Sequence, residues 1–164
     1  MEKLPLLLYC DQSVANVYSK VEKVMKSILI TLMVFFGVLS APATAARIEA
    51  KVDISQQKMR VYQNGKLKYV WPVSTARKGK VTPTGSWNAK WLSKNHKSSR
   101  YNNAPMPYAI FYSGHYAIHG TYNTKRLGRP ASAGCVRIHP SNAAKLFSMV
   151  QRHGKRNFKV RITR

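Results

Sequence analysis

From Ile48 to Val61 the apolar residues recur at every second position, and no other feature narrows the possible folds of this chain as much. Ile48, Ala50, Val52 and Ile54 alternate with polar residues, and Met59 and Val61 continue the period. A strand turns successive side chains to opposite faces, so such a stretch buries one face and wets the other. Asn64-Gly65 then marks a hairpin turn, because both positions tolerate positive φ, and Leu67 to Val73 reads as the return strand. Ser86 to Trp91, Tyr108 to Tyr112 and Tyr116 to Ile118 read as further strands. Val136 to Ile138 is a short apolar stretch, and Phe158, Val160 and Ile162 make a last alternating strand. Ser141 to Arg152 is the one convincing helix. Leu146, Met149 and Val150 mark its inner face, Pro140 or Ser141 sits at its start, and Gly154 follows its end. One helix among about eight strands predicts a mainly β domain, a sandwich and not a bundle. The connections are polar. Ser74 to Thr84 is a Gly/Pro/Lys loop, Ser93 to Pro107 is long enough for a binding lid, and residues 120–134 form a third loop.

The first 46 residues have a different character. Ser27 to Leu39 is an apolar run short of a comfortable membrane span. Lys20, Lys23 and Lys26 precede it, and Ala43-Thr44-Ala45 follows as a small-residue cleavage signal. This reads as a secretory signal peptide, with Met25 as a more ordinary starting point; an uncleaved N-terminal anchor is the other reading. Both export the remainder. The expected organisation is a leader over 1–46 and one domain over 47–164, in the periplasm or cell envelope, with no membrane span after processing. Cys10 lies in the leader behind Tyr9, which does not suit a lipoprotein signal. Cys135 is the one cysteine after residue 46, so that part has no internal disulfide.

Charge excludes whole classes of chemistry. Of 28 Lys and Arg, 24 fall at or after residue 47, where Glu49 and Asp53 are the only acids. Glycosidase chemistry needs two carboxylates flanking one bond, and hard cations need clustered oxygen ligands. A domain this basic could bind nucleic acid through phosphates, but export favours anionic envelope polymers, and no nucleic acid partner is expected.

What remains is a thiol with a histidine. His119-Gly120-Thr121 ends one strand; Ser132-Ala133-Gly134-Cys135-Val136-Arg137 begins the next ordered segment. A nucleophilic cysteine needs a base or cationic neighbours, and the loop between is long enough to bring the two together. Arg126, Arg129 and Arg137 would favour thiolate, so Cys135 is expected to titrate below about 8.5, the free-thiol value. The N–H groups of Gly134 and Cys135 could face an oxyanion. With no spare acid, the partner orienting His119 is expected to be a backbone carbonyl of the 121–134 loop. Tyr108 or Tyr112 could line a donor groove, and Arg126 and Arg129 could hold substrate carboxylates.

At these residues the chain resembles a known family. The pattern H-G-T…S-x-G-C-V-R is similar to the active-site signature of YkuD-type L,D-transpeptidases. Val52-Asp53-Ile54-Ser55-Gln56-Gln57 followed by Val61-Tyr62, then Pro72-Val73-Ser74 and Thr82-Pro83-Thr84-Gly85, match further landmarks, so the likeness covers roughly residues 48–163. The resemblance implies an L,D-transpeptidase-like β-sandwich with its principal helix after the cysteine. It implies Cys135 as nucleophile, His119 as base, and Ser132 and Gly134 as the small residues of the nucleophile turn. Arg137 would position substrate, with Gly120 and Thr121 also in the substrate site. Ala133 departs from members that carry a second histidine there, which leaves His119 as sole base. The implied reaction transfers a peptidoglycan tetrapeptide stem, through a thioester, to an amine of a neighbouring stem or of an envelope protein. No metal or organic cofactor is implied.

Other readings of the same residues stay open. His115, His119, Cys135 and His139 could ligate zinc, although their spacing matches no closed four-ligand set. The domain could be a non-catalytic binder of wall polymers, or a carboxypeptidase that resolves the same thioester with water. Papain-like peptidases place Cys before His along the chain, the reverse of the order here. His96 and His153 receive no role.

Overall fold

The computed structural model describes residues 17–26 and 47–164, which fall in two units. Residues 17–26 are helical (α1), with Lys26 paired to Glu22 at 2.6 Å one turn earlier. The apolar run Ser27 to Leu39, the Ala43-Thr44-Ala45 signal and Cys10 lie outside the described residues. Among those described, no helix is long and apolar enough to cross a membrane.

The second unit is mainly β, with two sheets and one principal helix. Its first sheet has the order β3 (Lys66–Pro72), β2 (Lys58–Gln63), β1 (Ile48–Asp53), β9 (Phe158–Thr163), β4 (Gly85–Asn88). The alternation in the sequence sets its faces: Ile48, Ala50 and Val52 of β1 lie inward, paired with Phe158, Val160 and Ile162 of the parallel strand β9. Asn64 and Gly65, at φ of 52° and 75°, make the β2–β3 turn. Mainly exposed, β3 keeps only Trp71 buried and skips one residue opposite Val61 and Tyr62, as an edge strand does.

The second sheet has the order β5 (Trp91–Lys97), β6 (Pro105–Ser113), β7 (Tyr116–Gly120), β8 (Val136–Ile138). Two expectations change here. The single strand from Ser86 to Trp91 is two strands, β4 and β5, one in each sheet, with Ala89 and Lys90 between them. The lid expected from Ser93 to Pro107 is largely a hairpin: β5 pairs with β6 from Trp91↔Phe111 to Lys97↔Pro105, and only residues 98–104 are loop. Polar residues on a strand with a wet face carry no apolar period, and the two prolines obscured the strand beyond.

Helix α2 (Pro140–His153) follows β8 and packs mainly on β6 and β7. Its cap is His139, one residue before the expected start, whose Nδ1 accepts from the Ser141 N–H at 3.3 Å; Pro140 takes the first turn, where it gives up no hydrogen bond. Leu146, Phe147, Met149 and Val150 join the inner faces of both sheets in one core. A smaller apolar cluster, Met106, Ala109, Phe111 and Ala117, lies apart from it, and Cys135 packs there. The central strands of the second sheet are therefore buried on both sides, and one of those sides carries the site.

Candidate active site

Strands β7 and β8 run parallel, with Ile118↔Val136 and His119↔Arg137 in register. Parallel neighbours need a crossover connection, and residues 121–135 supply it, including a short turn at Thr124–Arg126. Ile118, Val136 and Ile138 face the main core. By strand alternation Ala117, His119, Cys135 and Arg137 share the opposite face. A cleft of about 330 Å³ opens there, lined by Cys135, His119, Arg137, Thr121 and Ala133 from these strands and their loop. Tyr116, Tyr122, His115, Phe111, Met106, His96 and the 98–101 turn also line it. Cys135 and His119, the expected nucleophile and base, are thus brought to one cavity, one diagonal step apart on one sheet face.

His119 is buried, at 5% exposure, and its Nδ1–H donates to the Gly120 carbonyl at 2.8 Å. The orienting carbonyl is its own neighbour's, not one from the 121–134 loop. Nδ1 being so used, Nε2 holds the lone pair. Burial, with smaller contributions from Arg137 and His96, pushes the imidazole down to about 4 against the Gly120 hydrogen bond, so at neutral pH it is an uncharged base.

Cys135 departs from expectation. Burial against the small apolar cluster pushes its thiol above the ordinary value, and a backbone hydrogen bond at Ala117 and the Arg137 charge only partly offset this. Its Sγ lies 3.8 Å from the His115 carbonyl oxygen, a thiol-to-carbonyl contact. Of the three arginines expected to favour thiolate, Arg137 acts on the sulfur, yet desolvation is the larger effect. The resting pair is a neutral thiol and a neutral imidazole.

The nucleophile turn is held by hydrogen bonds. Gly134, at φ 138°, has no room for a side chain: a Cβ would lie 2.6 Å from Tyr116 Cε1 and 2.8 Å from the Val81 carbonyl oxygen. Its N–H donates to Ser132 Oγ at 3.0 Å, so this group, expected at the oxyanion, is already engaged. Its carbonyl accepts from Thr82 Oγ1 at 2.8 Å, and Thr82 Oγ1 itself accepts from the Ala76 N–H at 2.9 Å. Farther back, Ala131 and Ser132 donate to the Thr75 carbonyl, while Gln57 bonds both the Thr75 hydroxyl and its N–H. Gln57 and Thr82 lie within the matched landmarks but were given no role there, and Thr75 was not singled out; their near-complete burial marks them, and burial shows only after folding.

The remaining candidates divide. Thr121 lines the cleft, and its Oγ1 accepts from the Asn123 N–H. Gly120 packs against Pro107 and Pro140. Arg137 is half-buried in the cleft, with one long bond of 3.5 Å to the Ala131 carbonyl. Tyr108 and Tyr112 belong to the core instead: Tyr108 meets Phe147 edge-on at 5.8 Å, and Tyr112 is fully buried beside Trp87. Burial holds the Tyr112 phenol protonated. Tyr101, Tyr116 and Tyr122 are the tyrosines of the cleft. Arg126 and Arg129 do not line it, whereas Arg100 does, 3.4 Å from His115 Nε2. His96, given no role from sequence, lines the cleft beside Phe111. His139 caps α2, and among the described residues no three His, Cys, Asp or Glu side chains gather as a metal site.

Comparison with known proteins agrees with this architecture. Residues 47–162 match the family model of the YkuD L,D-transpeptidase catalytic domain. The YkuD proteins of Bacillus licheniformis and Bacillus subtilis are each 26% identical over 103 residues, covering 60% of this chain and 58% of theirs. Among solved structures, an L,D-transpeptidase from Mycobacterium smegmatis superposes with a TM-score of 0.65 at 20% identity, over 73% of this chain and 59% of that one. One from Stackebrandtia nassauensis gives 0.63 at 23%, over 77% and 62%. L,D-transpeptidase 3 of Mycobacterium tuberculosis, in complex with a faropenem-derived adduct, gives 0.63 at 16%, over 73% and 61%. The chain therefore spans about three fifths of the length of these relatives. Since the family match runs through both sheets, the cleft and the helix behind it, the chain belongs to the YkuD family of L,D-transpeptidase catalytic domains.

Proposed function

We propose that residues 47–164 form a peptidoglycan L,D-transpeptidase, exported by the leader over 1–46 to the periplasm or cell envelope. The observation that carries this reading is the placement of Cys135 and an uncharged His119 on one sheet face, in one cleft. Cys135 Sγ attacks the carbonyl carbon of the bond between the third residue of a tetrapeptide stem and its terminal D-alanine. The thiol proton passes to His119 Nε2 as the C–S bond forms. With the thiol raised and the imidazole lowered, transfer ahead of attack is uphill, so the two movements are coupled. The C–N bond then breaks, D-alanine leaves with the proton from His119, and a thioester remains on Cys135. An acceptor amine attacks the thioester, loses its proton to His119, and releases the thiol. The acceptor is the side-chain amine of a neighbouring stem, giving a 3–3 crosslink, or an amine of an envelope protein.

Mass spectrometry of muropeptides after incubating the purified protein with tetrapeptide-rich sacculi tests the assignment. New 3–3 dimers with free D-alanine support it. Tripeptides alone indicate hydrolysis of the same thioester. Unchanged muropeptides, with sacculi bound equally by wild type and Cys135→Ser, overturn it in favour of a wall-binding domain. The faropenem adduct of the Mycobacterium tuberculosis neighbour makes that β-lactam a second probe, expected to acylate Cys135 and not Cys135→Ala.

A further inference from the structure

The hydroxyl of Thr82 lies in a different part of the chain from the cysteine turn, yet it holds that turn at one atom. Thr82 is buried at 5% exposure. Its Oγ1 has two partners: it accepts from the Ala76 N–H at 2.9 Å and donates to the Gly134 carbonyl at 2.8 Å. The one hydroxyl proton is committed to Gly134, because the lone pairs face the Ala76 donor. The Gly134 carbonyl shares a planar peptide unit with the Cys135 N–H, and in a trans peptide the two point in opposite directions. Among the described residues no peptide bond is cis. Pinning the carbonyl toward Thr82 therefore fixes the Cys135 N–H in the reverse direction. Glycine at φ 138° offers the peptide little resistance to rotation, so the hydrogen bond, not intrinsic backbone preference, selects the orientation. The adjacent Gly134 N–H is unavailable for substrate, being bonded to Ser132 Oγ.

We propose that Thr82 is a positioning residue for the acyl-transfer chemistry: by holding the Gly134 carbonyl it aims the Cys135 N–H at the oxyanion that develops when the sulfur attacks. The inference rests on the transpeptidase reading of the cleft. Its effect belongs to the transition state, where a pre-aimed donor meets charge absent from the ground state.

Thr82→Val keeps the shape and removes the hydroxyl, and Thr82→Ser keeps the hydroxyl. Acylation of the full-length protein by faropenem and D-alanine release from tetrapeptide are measured alongside iodoacetamide alkylation of Cys135, which forms no oxyanion. The expected result for Thr82→Val is a kcat or acylation rate lower by about 30-fold or more, near the range for loss of an oxyanion donor. KM and the alkylation rate stay within about twofold, and Thr82→Ser recovers most of the rate. Should Thr82→Val not fold, Thr82→Ala is read in its place. Equal acylation by wild type and Thr82→Val overturns the proposal, as does a parallel fall in alkylation, which would indicate general loosening of the turn. A wild-type protein inert toward both substrates refutes the transpeptidase reading instead, so the two failures are distinct.

Discussion

Cys135 and His119 share one cleft in which burial, not charge, sets the protonation state of each. The abundance of arginine suggests a thiolate, yet the apolar pocket of Met106, Ala109, Phe111 and Ala117 outweighs the one arginine that acts on the sulfur. Alkylation of Cys135 by iodoacetamide, followed against pH, is expected to rise through a midpoint above the ordinary thiol value; a midpoint below about 8.5 would show that a resting thiolate exists after all. His119→Gln is expected to lower the transfer rate by about 10²-fold or more, since it removes the general base. The same histidine ties stability to pH. Its folded-state value of about 4 lies below its ordinary 6.5, so between these the unfolded chain binds the extra proton. Stability is thus complete above about pH 6.5 and falls toward pH 4, by at most about 3 kcal/mol. Denaturant midpoints at pH 7 and pH 4.5 check this, with the slope reduced in His119→Gln. That Cys135 and His119 could share a cleft was readable from their residue types and the length of the loop between them. The sense of the thiol shift was not, because it depends on which strand face covers the sulfur.

The crossover between β7 and β8 and the segment that straps it show what sequence periodicity leaves out. Strands with one wet face, β1 and β9, could be read directly. Strands β6 to β8 are buried on both faces, so alternation says little about which side holds a cleft. Tyr108, at φ 56°, adds a local irregularity inside β6: Met106 joins Ala109 and Phe111 on the cleft side while Tyr108 turns to α2. Tyr108 and Tyr112 were expected at a groove because ligand clefts are rich in aromatics, and that composition argument does not say which face of a strand a residue takes; both face the main core with Ile110. Gln57 and Thr82 stand in matched landmarks, yet the strap they form with Thr75 could not be read, because its hydrogen bonds join residues far apart in sequence. At this scale Gly134→Ala is expected to abolish acylation and to destabilise the domain by about 2–4 kcal/mol, because the added methyl meets both a ring and a backbone oxygen at positive φ. Chemical denaturation beside faropenem labelling checks it, and a stable, fully active Gly134→Ala would refute the account of the turn.

Across the whole domain the charge is one-sided. Glu49 meets Lys51 and Arg161 at 3.8 and 3.7 Å, and Asp53 is engaged by Ser55 and the Gln56 N–H, so the acids present offset little of the cationic surface. Self-repulsion between exposed lysines and arginines is screened by salt. The thermal midpoint is accordingly expected to rise from low to about 0.5 M sodium chloride, whereas a domain held by surface ion pairs would lose stability. Whether Cys135 carries the acyl group is read by intact-protein mass spectrometry after rapid mixing with a disaccharide tetrapeptide in the absence of acceptor amine. The expected result is a mass increase equal to the tetrapeptide donor less D-alanine, located on Cys135 and absent in Cys135→Ala. Free D-alanine without any adduct on that cysteine, or an adduct that persists in Cys135→Ala, would contradict it.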